Sequence, residues 1–217
     1  MQAPDAQMIL AARLRLAACD PALAVAHAAV PPFAWRARPG GFAGLLQMIV
    51  SQQVSTASAN AIWGRLEAGL DAVTPQAVLS AAEADLRKYG LSGQKARYVR
   101  AIAEAQDGGA IDFSHLRDLD ADAAVATLTA IRGVGLWTAE LYLLFCEGRT
   151  DVFPAGDLAL QEGLRMAEGG AVRLDEKGLY ARAETWRPDR GVAAHLLWAY
   201  YSGVKRGEIA APAMEEA

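Results

Sequence analysis

The stretch TAIRGVGLWTA, residues Thr129 to Ala139, decides the fold. Two glycines, Gly133 and Gly135, flank Val134 between two segments of helical composition, ADAAVATLTAI before them and LWTAELYLLFC after them. Glycine lets the backbone take positive φ angles and come close to a neighbour with no Cβ in the way. The stretch therefore reads as helix, short hairpin, helix. At the mouth of the second helix, free N–H groups and the helix dipole make a place for an anion, and a phosphate is the obvious candidate. A bare GxG also closes a helix–helix turn with no ligand, so the motif alone leaves both readings open.

Working outward, helix starts and stops are plentiful, whereas sustained apolar–polar alternation is not found. Thr74 before Pro75 is an N-cap with proline at the first helical position, and Gly90 after LRKY is a C-cap. Ser92 opens GQKARYVRAIAEAQ, whose Ala96, Val99, Ile102 and Ala103 form an apolar face and leave Lys95, Arg97 and Arg100 to solvent or a partner. Gly108 and Gly109 end that helix. Asp120 caps the helix before the hairpin, Asp157 precedes LALQEGLRMA, and Asp175 precedes EKGLYARAETW. Pro188 starts a last long helix bearing His195, Trp198, Tyr200 and Tyr201, which frays into KRGEIAAPAMEEA. The expectation is an all-α fold without internal repeat or low-complexity linker.

With 217 residues, 53% of them apolar, the chain can fill one domain or two small lobes sharing a core. Its longest uncharged apolar runs fall short of the roughly 20 residues that span a bilayer. Arg13 and Arg15 interrupt the N-terminal apolar segment and Asp5 sits where a basic leader would be, so a secretory signal is not expected and the protein should be cytoplasmic. Two cysteines, Cys19 and Cys146, cannot make a zinc or iron–sulfur ligand set by themselves. A net charge of −4 argues against coating DNA through bulk electrostatics, so any nucleic-acid function must rest on local geometry.

Four stretches, in order, carry a family resemblance: LLQMIVSQQVSTASA, GLSGQKARYVRAIA, IRGVGLWTA and DVFPAGD. Together they resemble the helix-hairpin-helix DNA glycosylase superfamily over most of the chain from Phe42 to Trp198, nearest to its DNA-3-methyladenine glycosylase II branch. The resemblance implies two helical lobes with a cleft between them: a middle lobe of about residues 42–147, and a second lobe made of about 1–41 plus 148–217. An N-terminal β domain found in some relatives has no counterpart here. The implied activity is removal of alkylated purines from double-stranded DNA by base flipping, without a cofactor, by a monomer.

Residue by residue, the resemblance makes Asp157 the catalytic carboxylate. It would stabilise the oxocarbenium-like sugar or activate water. The plain alternative, an N-cap contributing about 1 kcal/mol, is compatible with that role. Where strand-cutting relatives have a lysine two residues after the second hairpin glycine, this chain has Trp137, which implies a monofunctional hydrolase. Its indole face suits a cationic alkylated base, an attraction of roughly 0.5 to 2 kcal/mol. Trp198 and Leu158 match two further positions lining the base pocket; Trp198 in LLWAYY reads equally as core.

The resemblance further assigns DNA contacts to Gln52, Gln53, Arg132, Gly133, Val134, Gly135 and Lys95. Gln53 stands where relatives present a wedge that fills the gap left by the flipped base, although that branch has an apolar residue there; both glutamines could instead bond local backbone. Arg132 replaces the usual proline and adds a phosphate contact. No catalytic metal is implied, although a monovalent cation could sit on the carbonyls of Thr129, Ile131 and Val134. Asp151 matches a structural position, and His195 reads as a satisfied core residue. Two rivals stay open: a glycosylase for deaminated bases, and a helix-hairpin-helix protein that only binds DNA structure.

Overall fold

The computed structural model describes residues 3–212, and among them it contains twelve α-helices and no strand. In chain order these are α1 (Ala6–Cys19), α2 (Pro21–Ala29), α3 (Gly41–Ser51), α4 (Thr56–Leu70), α5 (Pro75–Ser80) and α6 (Glu83–Lys88). There follow α7 (Gly93–Asp107), α8 (Ala121–Thr129), α9 (Leu136–Phe145), α10 (Leu158–Glu168), α11 (Glu176–Ala183) and α12 (Arg190–Lys205). The chain divides into two compact units, one running Arg38–Glu147 and the other made of the segments on either side of it. Part of the predicted frayed C-terminal tail, residues 213–217, lies outside the described residues. No helix among the described residues is long and apolar enough to cross a membrane.

The Arg38–Glu147 unit is built on α3, whose Leu45, Leu46, Ile49 and Val50 are buried. Local chemistry starts its helices: Thr74 accepts from Ala77 N–H, Ser92 from Lys95 N–H and Asp120 from Ala123 N–H. Two expectations need correction. Arg100 is not left to solvent: its guanidinium donates to Leu79 O (3.2 Å) and Ala81 O (2.6 Å) at the end of α5, the first of two short helices between Pro75 and Gly90. Nor is the Lys95 ammonium left to solvent: it donates to Val50 O (2.8 Å) and Gln52 O (2.6 Å) at the end of α3. Both long side chains bury their stems and use their charge on the orphan carbonyls of a neighbouring helix.

The other unit packs α10 against α12 with α2 and α1 around them. Gly163 allows the close crossing, since a Cβ there would lie 2.9 Å from Leu197 O. Arg13 is almost wholly buried and caps α2, donating to His27 O (3.0 Å), Val30 O (2.5 Å) and Pro31 O (3.0 Å). Asp20, equally buried, caps the start of α2 and accepts from Arg182 Nε (2.8 Å) and Trp186 Nε1 (2.7 Å). The last helix begins at Arg190, two residues later than proline placement suggested, because Arg187 and Pro188 belong to the preceding turn.

Candidate active site

The hairpin joins α8 to α9 over residues 130–135. Gly133 takes φ +96°, and a Cβ there would fall 2.3 Å from the Tyr98 ring, so the position demands glycine twice over. Gly135 does not share the positive φ expected of it: it is extended, φ −83° and ψ 168°, and N-caps α9 without a side-chain bond. A Cβ at Gly135 would meet nothing within 4 Å, so no contact inside the molecule requires its smallness. The α9 ladder starts with Ala139 N–H on Gly135 O, so the first-turn N–H groups lie ahead of that ladder. Arg132 is exposed beside them, while Val134 is buried and its N–H closes the turn on Ile131 O at 3.0 Å. The Ile131 carbonyl thus already has one donor, and Thr129 turns its hydroxyl back onto Val125 O and Ala126 O.

Asp157 is held differently. It N-caps α10 and its Oδ1 accepts from Ala159 N–H (2.9 Å), Leu160 N–H (3.2 Å) and the Trp198 indole Nε1–H (3.1 Å). Three donors on one oxygen fix the carboxylate plane and complement its charge. The loop that delivers it is pinned too. Asp157 N–H bonds Pro154 O, Gln161 Nε2 donates to Ala155 O at 2.8 Å, and the Phe153 ring meets the Trp186 ring edge-on. Upstream, Asp151 accepts from Arg187 and Arg190, both at 2.7 Å, as befits a structural anchor.

Behind the acid lies an aromatic stack. Trp198 is 8% exposed, so its indole is a buried support for Asp157 as well as a ring. The His195 imidazole packs edge-on against it (5.8 Å) and stacks on Trp35 (4.1 Å between centroids, 26° between planes). His195 Nε2 accepts from Arg36 N–H, which leaves the proton on Nδ1, donated to Gly191 O. Burial pushes this imidazole down to about 4, against the opposing pull of the Gly191 bond. His195 is therefore a neutral structural group near neutral pH, as its apolar sequence neighbours suggested. Leu158, next to the acid, is 64% exposed.

In the Arg38–Glu147 unit, Trp137 stands 39% exposed at the first turn of α9. It lines a cavity of about 750 Å³ together with Gln47, Gln52, Gln53, Thr138 and Phe145. Gln52 does not merely bond local backbone: its Nε2 donates to Thr138 Oγ1, 3.0 Å away on α9. Gln53 is exposed and adopts φ +55°, one of two non-glycine residues with positive φ among those described. The structure thus brings Gln52, Gln53 and Trp137 to one cavity, and Asp157 and Trp198 to one hydrogen bond. Sequence reasoning missed Thr138 and the true targets of Lys95; the first signal available was that Lys95 lies in the opening turn of α7, where a cation does nothing for its own helix. No group of three or more His, Cys, Asp or Glu side chains among the described residues could hold a metal ion.

A family model described as HhH-GPD superfamily base excision DNA repair protein matches residues 46–188. DNA-3-methyladenine glycosylase 1 of Schizosaccharomyces pombe is 30% identical over 158 residues, which cover 71% of this chain and 69% of that protein. Among solved structures, a DNA-3-methyladenine glycosidase from Bacillus halodurans matches with TM-score 0.72 and 32% identity, over 80% of this chain and 81% of that one. The 3-methyladenine DNA glycosylase of S. pombe, solved in complex with abasic DNA, matches with TM-score 0.74 and 26% identity, over 87% and 95% of the two chains. The all-helical fold expected from the sequence is the fold of these structures.

Proposed function

The chain belongs to the HhH-GPD superfamily of base excision DNA repair proteins, and on that footing we propose that it hydrolyses the N-glycosidic bond of alkylated purines in double-stranded DNA. The products are the free base, of the 3-methyladenine or 7-methylguanine kind, and an abasic site. The observation that carries the proposal is the carboxylate of Asp157, oriented by two helix amides and an indole N–H at the head of α10.

When the C1′–N bond breaks, its electron pair leaves with the cationic base, which becomes neutral, and positive charge develops on the sugar. An oriented carboxylate stabilises that charge and positions the water that adds to C1′. Trp137, with its exposed indole, offers a face to the cationic base. Leu158, exposed beside the acid, is an apolar contact for the base, and Trp198 acts through Asp157. Because Trp137 occupies the place of an amine nucleophile, the enzyme is monofunctional and leaves the strand uncut. Gln53 enters the stack as the base leaves it. Arg132 and the turn of Gly133, Val134 and Gly135 at the positive end of α9 hold a backbone phosphate. It acts as a monomer, and its two unpaired cysteines fit a reducing compartment such as the cytoplasm.

The test is base release from methylated duplex DNA by the purified protein, with the freed bases separated by chromatography and abasic sites revealed by alkali. Release of 3-methyladenine with matching alkali-labile sites is expected. Tight duplex binding with no base released from methylated or deaminated DNA would mean a DNA-structure-binding protein. Release of deaminated bases alone would move the specificity.

A further inference from the structure

The four residues 52–55 between α3 and α4 form a turn that projects Gln53. Left-handed φ costs a side-chain-bearing residue about 1 kcal/mol, so something must hold Gln53 at φ +55°. Two latches do so. On one side Gln52 Nε2 bonds the buried Thr138 hydroxyl. On the other, Lys95 Nζ bonds Val50 O and Gln52 O. The Gln52 carbonyl lies in the peptide plane that also contains Gln53 N, so fixing this oxygen fixes the plane from which Gln53 turns. The cation also sits at the negative end of the α3 dipole. Its own backbone is anchored, since Lys95 N–H is bound by the Ser92 cap. Partial burial lowers the affinity of this amine for its proton.

We propose that Lys95 is a positioning residue for base extrusion: it touches no nucleotide, and it holds the Gln52–Gln53 turn in the conformation that lets Gln53 enter the duplex. This rests on the proposed glycosylase activity with Gln53 as the wedge. Single-stranded DNA needs no wedge, so the loss in a Lys95 variant should fall on duplex substrate.

The experiment compares single-turnover release of methylated bases from duplex and from single-stranded DNA by wild type, Gln53→Ala and Lys95→Met. Both variants should lose about tenfold or more on duplex and less than about threefold on single strands. Lys95→Arg, which keeps a cation within reach of the same carbonyls, should recover duplex activity to within about threefold. The salt dependence of duplex binding should keep the wild-type slope in K95M, whereas a phosphate contact would lower it by about one.

Equal losses on the two substrates, a reduced salt slope, or full duplex activity in K95M alongside a defective Q53A would each overturn the role given to Lys95. A wild type that releases no base overturns the glycosylase reading, and an unaffected Q53A overturns the wedge. Should K95M fail to fold, the same ratio is read on Lys95→Gln, with the same outcomes deciding.

Discussion

At the head of α10 the first-turn N–H groups close on the carboxylate of Asp157, whereas the cap of α9 is Gly135, which has no side chain to offer. Both ends present the same physics, a cluster of orphan donors at the positive pole of a helix. One is occupied from within, which converts a flexible acid into a fixed charge. The other carries Gly135 where Ser, Thr, Asp or Asn would stabilise the helix, with open space where their Cβ would stand. Under the proposed function, the uncapped start with room for a cap is the place for an outside anion. A capped one is a site whose anion is part of the machinery.

The sharpest way to break this comparison is Asp157→Asn. Asparagine retains an oxygen for the two amides and the indole, so the cap survives and only the charge is removed. Base release under single-turnover conditions should fall about a thousandfold, roughly 4 kcal/mol of transition-state stabilisation, with thermal stability little changed. Activity within about threefold of wild type would reduce Asp157 to a cap.

The next test works through pH and the group that backs the Asp157 support. An unfolded histidine titrates near 6.5, while folded His195 titrates near 4. As pH falls between these values the unfolded chain takes up a proton that the folded one refuses. The contribution of neutral His195 is therefore complete above about 6.5 and is lost as pH drops toward 4, up to about 3 kcal/mol. Urea unfolding of wild type and His195→Gln at neutral pH and near pH 4.5 measures it. The variant should lose less stability on acidification; parallel losses would mean that His195 is not held neutral.

Much of this could be read from the sequence, and the division has a physical cause. Thr74, Ser92, Asp120, Asp157 and Asp175 all cap the helices they were expected to cap, because a cap is a contact across two or three residues. Arg100 was left to solvent or a partner because its target carbonyls, Leu79 O and Ala81 O, lie 21 and 19 residues upstream. Lys95 was misplaced for the same reason: amphipathic patterning shows that it leaves the apolar face of its helix, not that carbonyls 43 and 45 residues away lie waiting for it. The Trp198 indole bond spans 41 residues and was equally out of reach. Gly135 shows the opposite error: composition suggested a positive φ, and the residue is extended with open space where a Cβ would stand.

Gly135→Asp would give α9 the kind of cap that α10 has. Its backbone already has the extended conformation of a capping residue, and a Cβ there meets no atom within 4 Å. The fold should hold or gain a few tenths of a kcal/mol. Duplex binding should weaken about thirtyfold, because the donors are now engaged and a negative charge faces the phosphate. Unchanged binding, measured by fluorescence anisotropy at fixed salt, would remove the reason for leaving α9 open.

The smallest effect asked for is at Trp198. Trp198→Phe keeps an aromatic ring against His195 and deletes one of three donors to Asp157 Oδ1, leaving the two α10 amides in place. A ring that served the base as a wall would lose mostly affinity, and KM would rise. An N–H that orients the acid is felt when charge develops on the sugar, so kcat should fall about tenfold while KM stays within about twofold. The split separates the two roles given to this tryptophan. It also measures how much of the contrast between the two helix starts comes from the indole, and how much from the backbone amides that both helices possess.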